Sequence, residues 1–293
     1  MGRLNLDIPK TVAEFEALIN KVMPKKNFYK LLLRGKGLEF ESYRSFGQDE
    51  DASLIDWKAS IRGGTLLARQ YIEERNMKVM FVIDIGENMI FGSQEKLKCE
   101  YCAELVSAFS HTLINSGDKV GLILFNNHIT KIDFPESGKN QFDIIVNELS
   151  DTSNYKGVSN IENVMHEILE ILDPSFSLIV FVSDFLKVGS SSEIFFERIG
   201  SLFETMAIVV KDPLDKTLPD IDKEIFIEDP NTGDKLLVNP AIAKRMYEFN
   251  AEKQTQVVRN IFEKSNIDYV ELITSEDFSY NLASFLKRRT DKR

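Results

Sequence analysis

The stretch Val79-Met80-Phe81-Val82-Ile83-Asp84 decides the fold, because a run of consecutive apolar residues ends in a single carboxylate. Such a run is typical of a strand that is covered on both faces of a sheet. A helical pattern follows over residues 97–113, and a second apolar run, Leu178-Ile179-Val180-Phe181-Val182, occurs later in the chain. The stretch therefore predicts one central strand of a mainly parallel sheet.

The same alternation of strand and helix extends outward from this stretch. Further strand patterns occur at residues 120–125, 206–210 and 269–273, and helical patterns separate them. Alternating elements of this kind form a parallel sheet with helices on both faces, joined by right-handed crossovers. We therefore predict an α/β fold with a doubly wound, mainly parallel sheet of the Rossmann type.

Three regions are predicted along the 293 residues. Residues 1–34 form a helical N-terminal segment, residues 35–76 a small Gly-rich β region of strands and turns rather than helices, and residues 77–293 the α/β domain. Within the last region, the turn sequence at residues 229–234 predicts a hairpin insertion near residues 211–240. The basic residues 287–293 predict a solvated helix end, with a docking tail as the alternative.

Composition excludes several classes of protein. The chain has 36 Lys and Arg against 46 Asp and Glu, a net charge of −10, which argues against a nucleic-acid binder. Two cysteines exclude a fold built on disulfides. No apolar run approaches the roughly 20 residues of a membrane span, and no signal peptide is recognisable. We expect a soluble, cytoplasmic protein.

No motif for nucleotide hydrolysis, dinucleotide binding or a nucleophilic serine occurs, so we expect a chain that is not an enzyme. Cys99 and Cys102 are interpreted as buried helical thiols rather than a redox or zinc pair. Trp57 is interpreted as a packing anchor, with an exposed interaction residue as the alternative. Residues 49–51, Asp-Glu-Asp, are interpreted as a solvated acidic turn.

Polar side chains collect where the predicted strands end. Asp84 and Asp184 follow two apolar strands, while Asn88 and Ser159 lie in loops that lead into helices. Ligands of open α/β sheets bind at the carboxyl ends of the strands, and Mg²⁺ prefers carboxylate, amide and hydroxyl oxygens. The pattern therefore predicts a site for Mg²⁺ or another divalent cation; the alternative is that both aspartates only cap helices or end strands.

Several motifs carry a resemblance to a known family. They are Gly37-Leu38-Glu39-Phe40, Ile55-Asp56-Trp57-Lys58-Ala59-Ser60, the segment from Asp84 to Gly92, Gly117-Asp118-Lys119-Val120-Gly121 and Ser183-Asp184-Phe185. Together they are similar to the soluble branch of the bacterial family catalogued as domain of unknown function 58. That family consists of von Willebrand factor A-like proteins.

The resemblance implies a von Willebrand factor A-like domain with a metal-ion-dependent adhesion site. Position by position, the family's metal ligands correspond to Asp84, Asn88, Ser159 and Asp184, while Gly86 stands where the family has a serine. It also implies a non-catalytic interaction module, the partner or adaptor of a MoxR-type AAA+ ATPase. The alternatives are a metal-dependent hydrolase that uses the same cleft, and a metal-free scaffold that binds through the β region around Trp57.

Overall fold

The computed structural model describes residues 2–22, 38–47, 55–73, 77–228 and 235–291. The helices are α1 (Ile8–Val22), α2 (Trp57–Gly63), α3 (Lys98–Asn115), α4 (Lys139–Ser150), α5 (Ile161–Ile171), α6 (Glu193–Leu202), α7 (Pro240–Lys264) and α8 (Phe278–Asp291). The strands are β1 (Leu38–Ser45), β2 (Leu67–Glu73), β3 (Lys78–Asp84), β4 (Lys119–Phe125), β5 (Ile129–Glu136), β6 (Leu178–Ser183), β7 (Thr205–Lys211), β8 (Ile225–Glu228), β9 (Lys235–Val238) and β10 (Asp268–Ile273).

A six-stranded sheet forms the centre of the molecule, in the order β10-β7-β6-β3-β4-β5. All neighbours pair in parallel except β5, which runs antiparallel to β4 at one edge. The chain moves from β3 to β4 in one direction and reaches β6 on the other side of β3. The crevice between β3 and β6 is therefore the switch point at which ligands bind in such sheets. The predicted doubly wound sheet is confirmed.

Helices cover both faces of this sheet, as the apolar strands require. Alternate residues of β3 face opposite ways: Val79, Phe81 and Ile83 pack in one cluster with α1, α3, α4 and α8. Met80 and Val82 pack in a second cluster with α5, α6 and α7. The N-terminal helix α1 belongs to the first cluster, where Phe15 contacts the ring of Phe109 at 6.2 Å between centroids.

The region before β3 contains a helix that sequence patterns did not predict. The strands β1 and β2 pair antiparallel, as expected, but α2 lies between them. Asp56 caps α2 by accepting a hydrogen bond from the backbone N–H of Ala59 at 3.1 Å, and Gly64 ends it with φ of 68°. The prediction of strands and turns alone was therefore wrong, because side-chain capping stabilises even a helix this short.

The two smaller sequence predictions have different outcomes. The strands β8 and β9 form the predicted antiparallel hairpin, whose turn residues 229–234 lie outside the described ranges, as do residues 49–51. The basic C-terminal segment is not wholly solvated. Arg289 is buried and donates to Asp268 Oδ2 at 2.6 Å and to Glu204, so it fastens α8 to the edge of the sheet.

Asp118 joins the start of β4 to the start of β3. Its Oδ1 accepts a hydrogen bond from the backbone N–H of Met77 at 3.0 Å, and its buried Oδ2 has no hydrogen-bond partner among the described residues. Burial raises the pKa of Asp118 to about 7, although the bond from Met77 lowers it. The ionised carboxylate therefore costs stability at high pH.

We expect the stability of the wild type to fall as pH rises from 4 to 8. The folded pKa of Asp118 lies above its ordinary value of 3.8, so the folded state takes up the proton more readily and is favoured at low pH. Urea unfolding at pH 5 and pH 8 measures the fall. In Asp118→Asn the fall should be smaller by on the order of 1–3 kcal/mol. An equal fall in both proteins would contradict the assignment.

Candidate functional site

Two aspartates meet at the carboxyl ends of neighbouring strands in the middle of the sheet. The pairing of β3 with β6 places Ile83 opposite Val182, so Asp84 and Asp184 leave the sheet side by side. Both side chains are buried. The sequence-based expectation that these residues lie together is consistent with the structure.

Asp84 is held by hydrogen-bond donors on all sides. Its Oδ1 accepts from the backbone N–H of Gly86 at 2.9 Å, and its Oδ2 accepts from the hydroxyl of Ser183 at 2.7 Å. The Ser159 hydroxyl is a further donor to this carboxylate. Burial raises the pKa of Asp84 to about 6, and the charge of Asp184 adds to the rise, while these hydrogen bonds oppose it.

Asn88 bridges the two carboxylates with its amide nitrogen. Nδ2 donates to Asp184 Oδ2 at 2.9 Å and lies 3.4 Å from Asp84 Oδ2. The carbonyl oxygen, Oδ1, points away from them and has no hydrogen-bond partner among the described residues. Since ionised carboxylates only accept hydrogen bonds, this orientation of the amide is the one that they require.

Lys98 completes the cluster, and sequence reasoning missed it. The side chain is 2% exposed, and its Nζ donates to Asp184 Oδ2 at 2.8 Å and to Asp215 Oδ2 at 3.1 Å. Burial lowers the pKa of Lys98, but the charges of Asp184 and Asp215 outweigh burial and the net direction is upward. Lys98 is therefore an ammonium ion. We call Asp84, Asn88, Lys98, Ser159, Asp184 and Asp215 the strand-end site.

Gly86 accounts for the position of the Asn88 side chain. A Cβ atom on Gly86 would lie 2.4 Å from Asn88 Oδ1 and 2.7 Å from the Cβ of Ser159. Contacts this short do not occur between packed atoms, so the amide of Asn88 takes the space that a side chain at position 86 would need. Gly86 and Asn88, which both differ from the residues that the resemblance implies, are thus in close proximity, and the one makes room for the other.

The donor set of the strand-end site does not fit a divalent metal ion. Mg²⁺ requires oxygen ligands in near-octahedral geometry, whereas Asp184 Oδ2 already accepts from two nitrogen donors, and Gly86 has no side-chain oxygen. Within the part of the chain that the structure describes, no group of three or more His, Cys, Asp or Glu side chains is arranged to hold a metal. The Mg²⁺ site stays a prediction, and these contacts do not favour it.

A cavity of about 680 Å³ opens above the strand-end site. Its floor is polar and its walls are mainly apolar, which is typical of surfaces that receive another molecule. The walls come from the loops after β3 and β6, the start of α5, the segment after β7 and the hairpin strand β8. Apolar wall residues are Phe91, Ile161, Phe185, Val188, Leu218 and Phe226.

Two other sequence candidates lie outside the strand-end site. Cys99 and Cys102 are buried free thiols, as predicted, and burial raises the pKa of both, that of Cys99 to about 12, so neither is a reactive thiolate. Trp57 is 61% exposed at the start of α2. The interpretation of Trp57 as a packing anchor was therefore wrong, because most of the residue is in contact with solvent.

The sheet order and the flanking helices define a doubly wound α/β protein with polar residues at its switch point. The family described as "Protein of unknown function DUF58" matches residues 42–259, and the chain belongs to that family. The uncharacterized protein Rv1480 of Mycobacterium tuberculosis strain H37Rv is 23% identical over 297 residues, covering 99% of this chain and 93% of that protein.

Solved structures show a likeness of fold alone. The conserved hypothetical protein BatB from Bacteroides thetaiotaomicron has a TM-score of 0.50 and 14% identity, covering 74% of this chain and all of that chain. The SpRpn10 VWA domain has a TM-score of 0.42 and 12% identity, covering 73% of this chain and 94% of that chain. Among the described residues, none of the helices combines the length and apolar character needed to cross a membrane.

Proposed function

We propose that the protein is a non-catalytic interaction module that binds a protein partner at the carboxyl end of its sheet. The observation that carries this proposal is the cavity above the strand-end site, which combines apolar walls with a floor of polar groups that bond mostly to one another. A partner segment gains binding energy by burying apolar surface against the walls, at roughly 25 cal/mol per Å².

The contacts of the site favour binding over hydrolysis, the main alternative. A general base needs a free lone pair within reach of its substrate or of a water molecule. In the strand-end site, the carboxylates of Asp84 and Asp184 are buried and accept hydrogen bonds from neighbouring groups at both oxygens. Both carboxylates are therefore engaged in hydrogen bonds within the site, which favours a positioning role over that of a general base.

Exposed apolar side chains occur on the hairpin and in the first half of α7. Phe226 of β8 is 71% exposed and also lines the cavity. Clustered exposed apolar residues mark interaction surfaces in soluble proteins. Leu237 is the cross-strand neighbour of Phe226 and lies on the same face of the hairpin. Further exposed apolar residues of β9 and α7 are Leu236, Ile242, Met246 and Phe249. We call these residues with Phe226 the hairpin surface.

The partner that we propose is a MoxR-type AAA+ ATPase, on the strength of the family resemblance. Such an ATPase would supply the energy of nucleotide hydrolysis, for which this sequence has no motif. In this arrangement the chain selects or positions the protein to be remodelled. The ATPase supplies the energy for that remodelling. The hairpin surface and the cavity would seat an apolar segment of the ATPase.

Replacing Phe226 by serine should weaken binding of a purified MoxR-type ATPase from the same organism by at least about tenfold, since exposed aromatic residues dominate interface energies. Calorimetric titration measures the dissociation constant. The matched control is Phe134→Ser on β5, at the far edge of the sheet, where the phenylalanine is 61% exposed.

The outcomes of this titration separate the alternatives. Equal affinity of the Phe226 and Phe134 variants would contradict docking at the hairpin surface. A loss confined to Trp57→Ala would favour the scaffold alternative, in which the region around Trp57 binds. If the wild type does not bind the ATPase at all, the proposed partner is wrong.

A further inference from the structure

We infer that Lys98 is the resident cation of the strand-end site, so that its ammonium group takes the place of a divalent metal ion and the site is complete without metal. The inference concerns the site itself and holds whichever partner binds above it. It rests on the position of Lys98, on the orientation of Asn88 and on the space around Gly86.

The position of Lys98 is not explained by the helix that carries it. Lys98 is the first residue of α3, where the helix dipole disfavours a positive charge. Burial of an ammonium group adds a further cost unless carboxylates surround it. Two carboxylates do so: Asp184 at 2.8 Å, and Asp215 at 3.1 Å from a segment 117 residues further along the chain.

Both oxygens of Asp184 accept hydrogen bonds in this arrangement. Oδ2 accepts from Lys98 Nζ and from Asn88 Nδ2, and Oδ1 accepts from the backbone N–H of Leu186 at 3.1 Å. A metal ion bound to Asp184 Oδ2 would meet two nitrogen donors, one of them charged. It would have to displace Lys98 and reverse the amide of Asn88 before it could bind.

Reversal of the Asn88 amide gives no complete ligand set in return. The carbonyl oxygen now lies beside Gly86, in the space that a side chain there would fill. Turned towards the carboxylates, it would add one ligand, but position 86 still supplies none. An ammonium ion suits this site better than Mg²⁺, because it needs acceptors and no fixed octahedron.

Thermal unfolding of the full-length protein in EDTA, in MgCl₂ and in MnCl₂ tests the inference. The wild type should unfold at the same temperature in all three, since its carboxylates already have a cation. Lys98→Ala should unfold roughly 5 °C or more below the wild type in EDTA, because it leaves two buried carboxylates without a counter-charge. Mn²⁺ or Mg²⁺ should restore part of that loss by occupying the space that the side chain vacates.

A surface lysine gives the matched control. Lys264→Ala removes a lysine that pairs with Glu193 at 2.6 Å on the protein surface. The unfolding temperature of this variant should not rise with Mn²⁺ or Mg²⁺. The comparison separates binding of the ion at the strand-end site from a general effect of salt on an unpaired carboxylate.

Two results would overturn the inference. One is stabilisation of the wild type by either ion; the other is a Lys98→Ala protein that folds but gains no stability from either ion. If Lys98→Ala does not fold, Mn²⁺ is titrated into the wild type instead, and electron paramagnetic resonance measures the concentration of free Mn²⁺. An undiminished signal of free Mn²⁺ supports the inference, and its stoichiometric loss contradicts it.

Discussion

Replacing Asp184 by alanine is expected to lower the free energy of unfolding by about 3–5 kcal/mol, because it breaks a buried ion pair from one side. The ammonium of Lys98 would keep only Asp215 as a charged partner. The amide of Asn88 and the backbone N–H of Leu186 would each lose an acceptor at the same time. Urea unfolding monitored by circular dichroism measures the loss.

The matched control for Asp184→Ala is Glu193→Ala. Glu193 also pairs with a lysine, Lys264, but both groups are partly exposed. Surface pairs of this kind contribute about 0–1 kcal/mol, so the control should stay close to the wild type. Similar losses in the two variants would mean that burial of the Lys98 pair is not what stabilises the site.

Replacing Phe262 by alanine is expected to lower the free energy of unfolding by about 3–5 kcal/mol, through loss of packing rather than of charge. Phe262 of α7 is fully buried, and its ring centroid lies 5.2 Å from that of Phe185 and 5.4 Å from that of Phe196. Phe185 directly follows Asp184 and has an unusual backbone φ of 52°. Phe262 thus stabilises the loop that forms one wall of the cavity.

The same helix provides the control for Phe262. Phe249→Ala removes the same side chain from α7 at a position that is 66% exposed, where the change should be within about 0.5 kcal/mol. Chemical denaturation of both variants under one set of conditions compares them directly. A Phe249 variant as unstable as the Phe262 variant would contradict the described packing of α7.

The central sheet could be predicted because its strands are apolar on both faces. Apart from their polar end residues, β3 and β6 consist of apolar residues only, so both faces of the sheet require a cover of helices. The helix α2 escaped prediction because a single side-chain cap at Asp56 matters more than the surrounding glycines. The spacing of apolar residues does not indicate a helix in a segment of this length.

The candidate site was only partly predictable, for a geometric reason. Asp84 and Asp184 end neighbouring strands, and strand ends meet at one edge of a parallel sheet. Lys98 and Asp215 end no strand. Lys98 reaches the site through the length of its side chain, and Asp215 comes from the irregular segment after β7, which no pattern places in space.

The residues of the strand-end site are far apart in the sequence, which affects when the site forms during folding. Asn88 and Asp184 are 96 residues apart in sequence, and Lys98 and Asp215 are 117 apart. Contacts between such distant residues require the closure of a long loop, so they are slow to form during folding. No fragment that ends before β6 contains the site. Binding at this position would therefore distinguish the finished protein from a nascent or damaged chain.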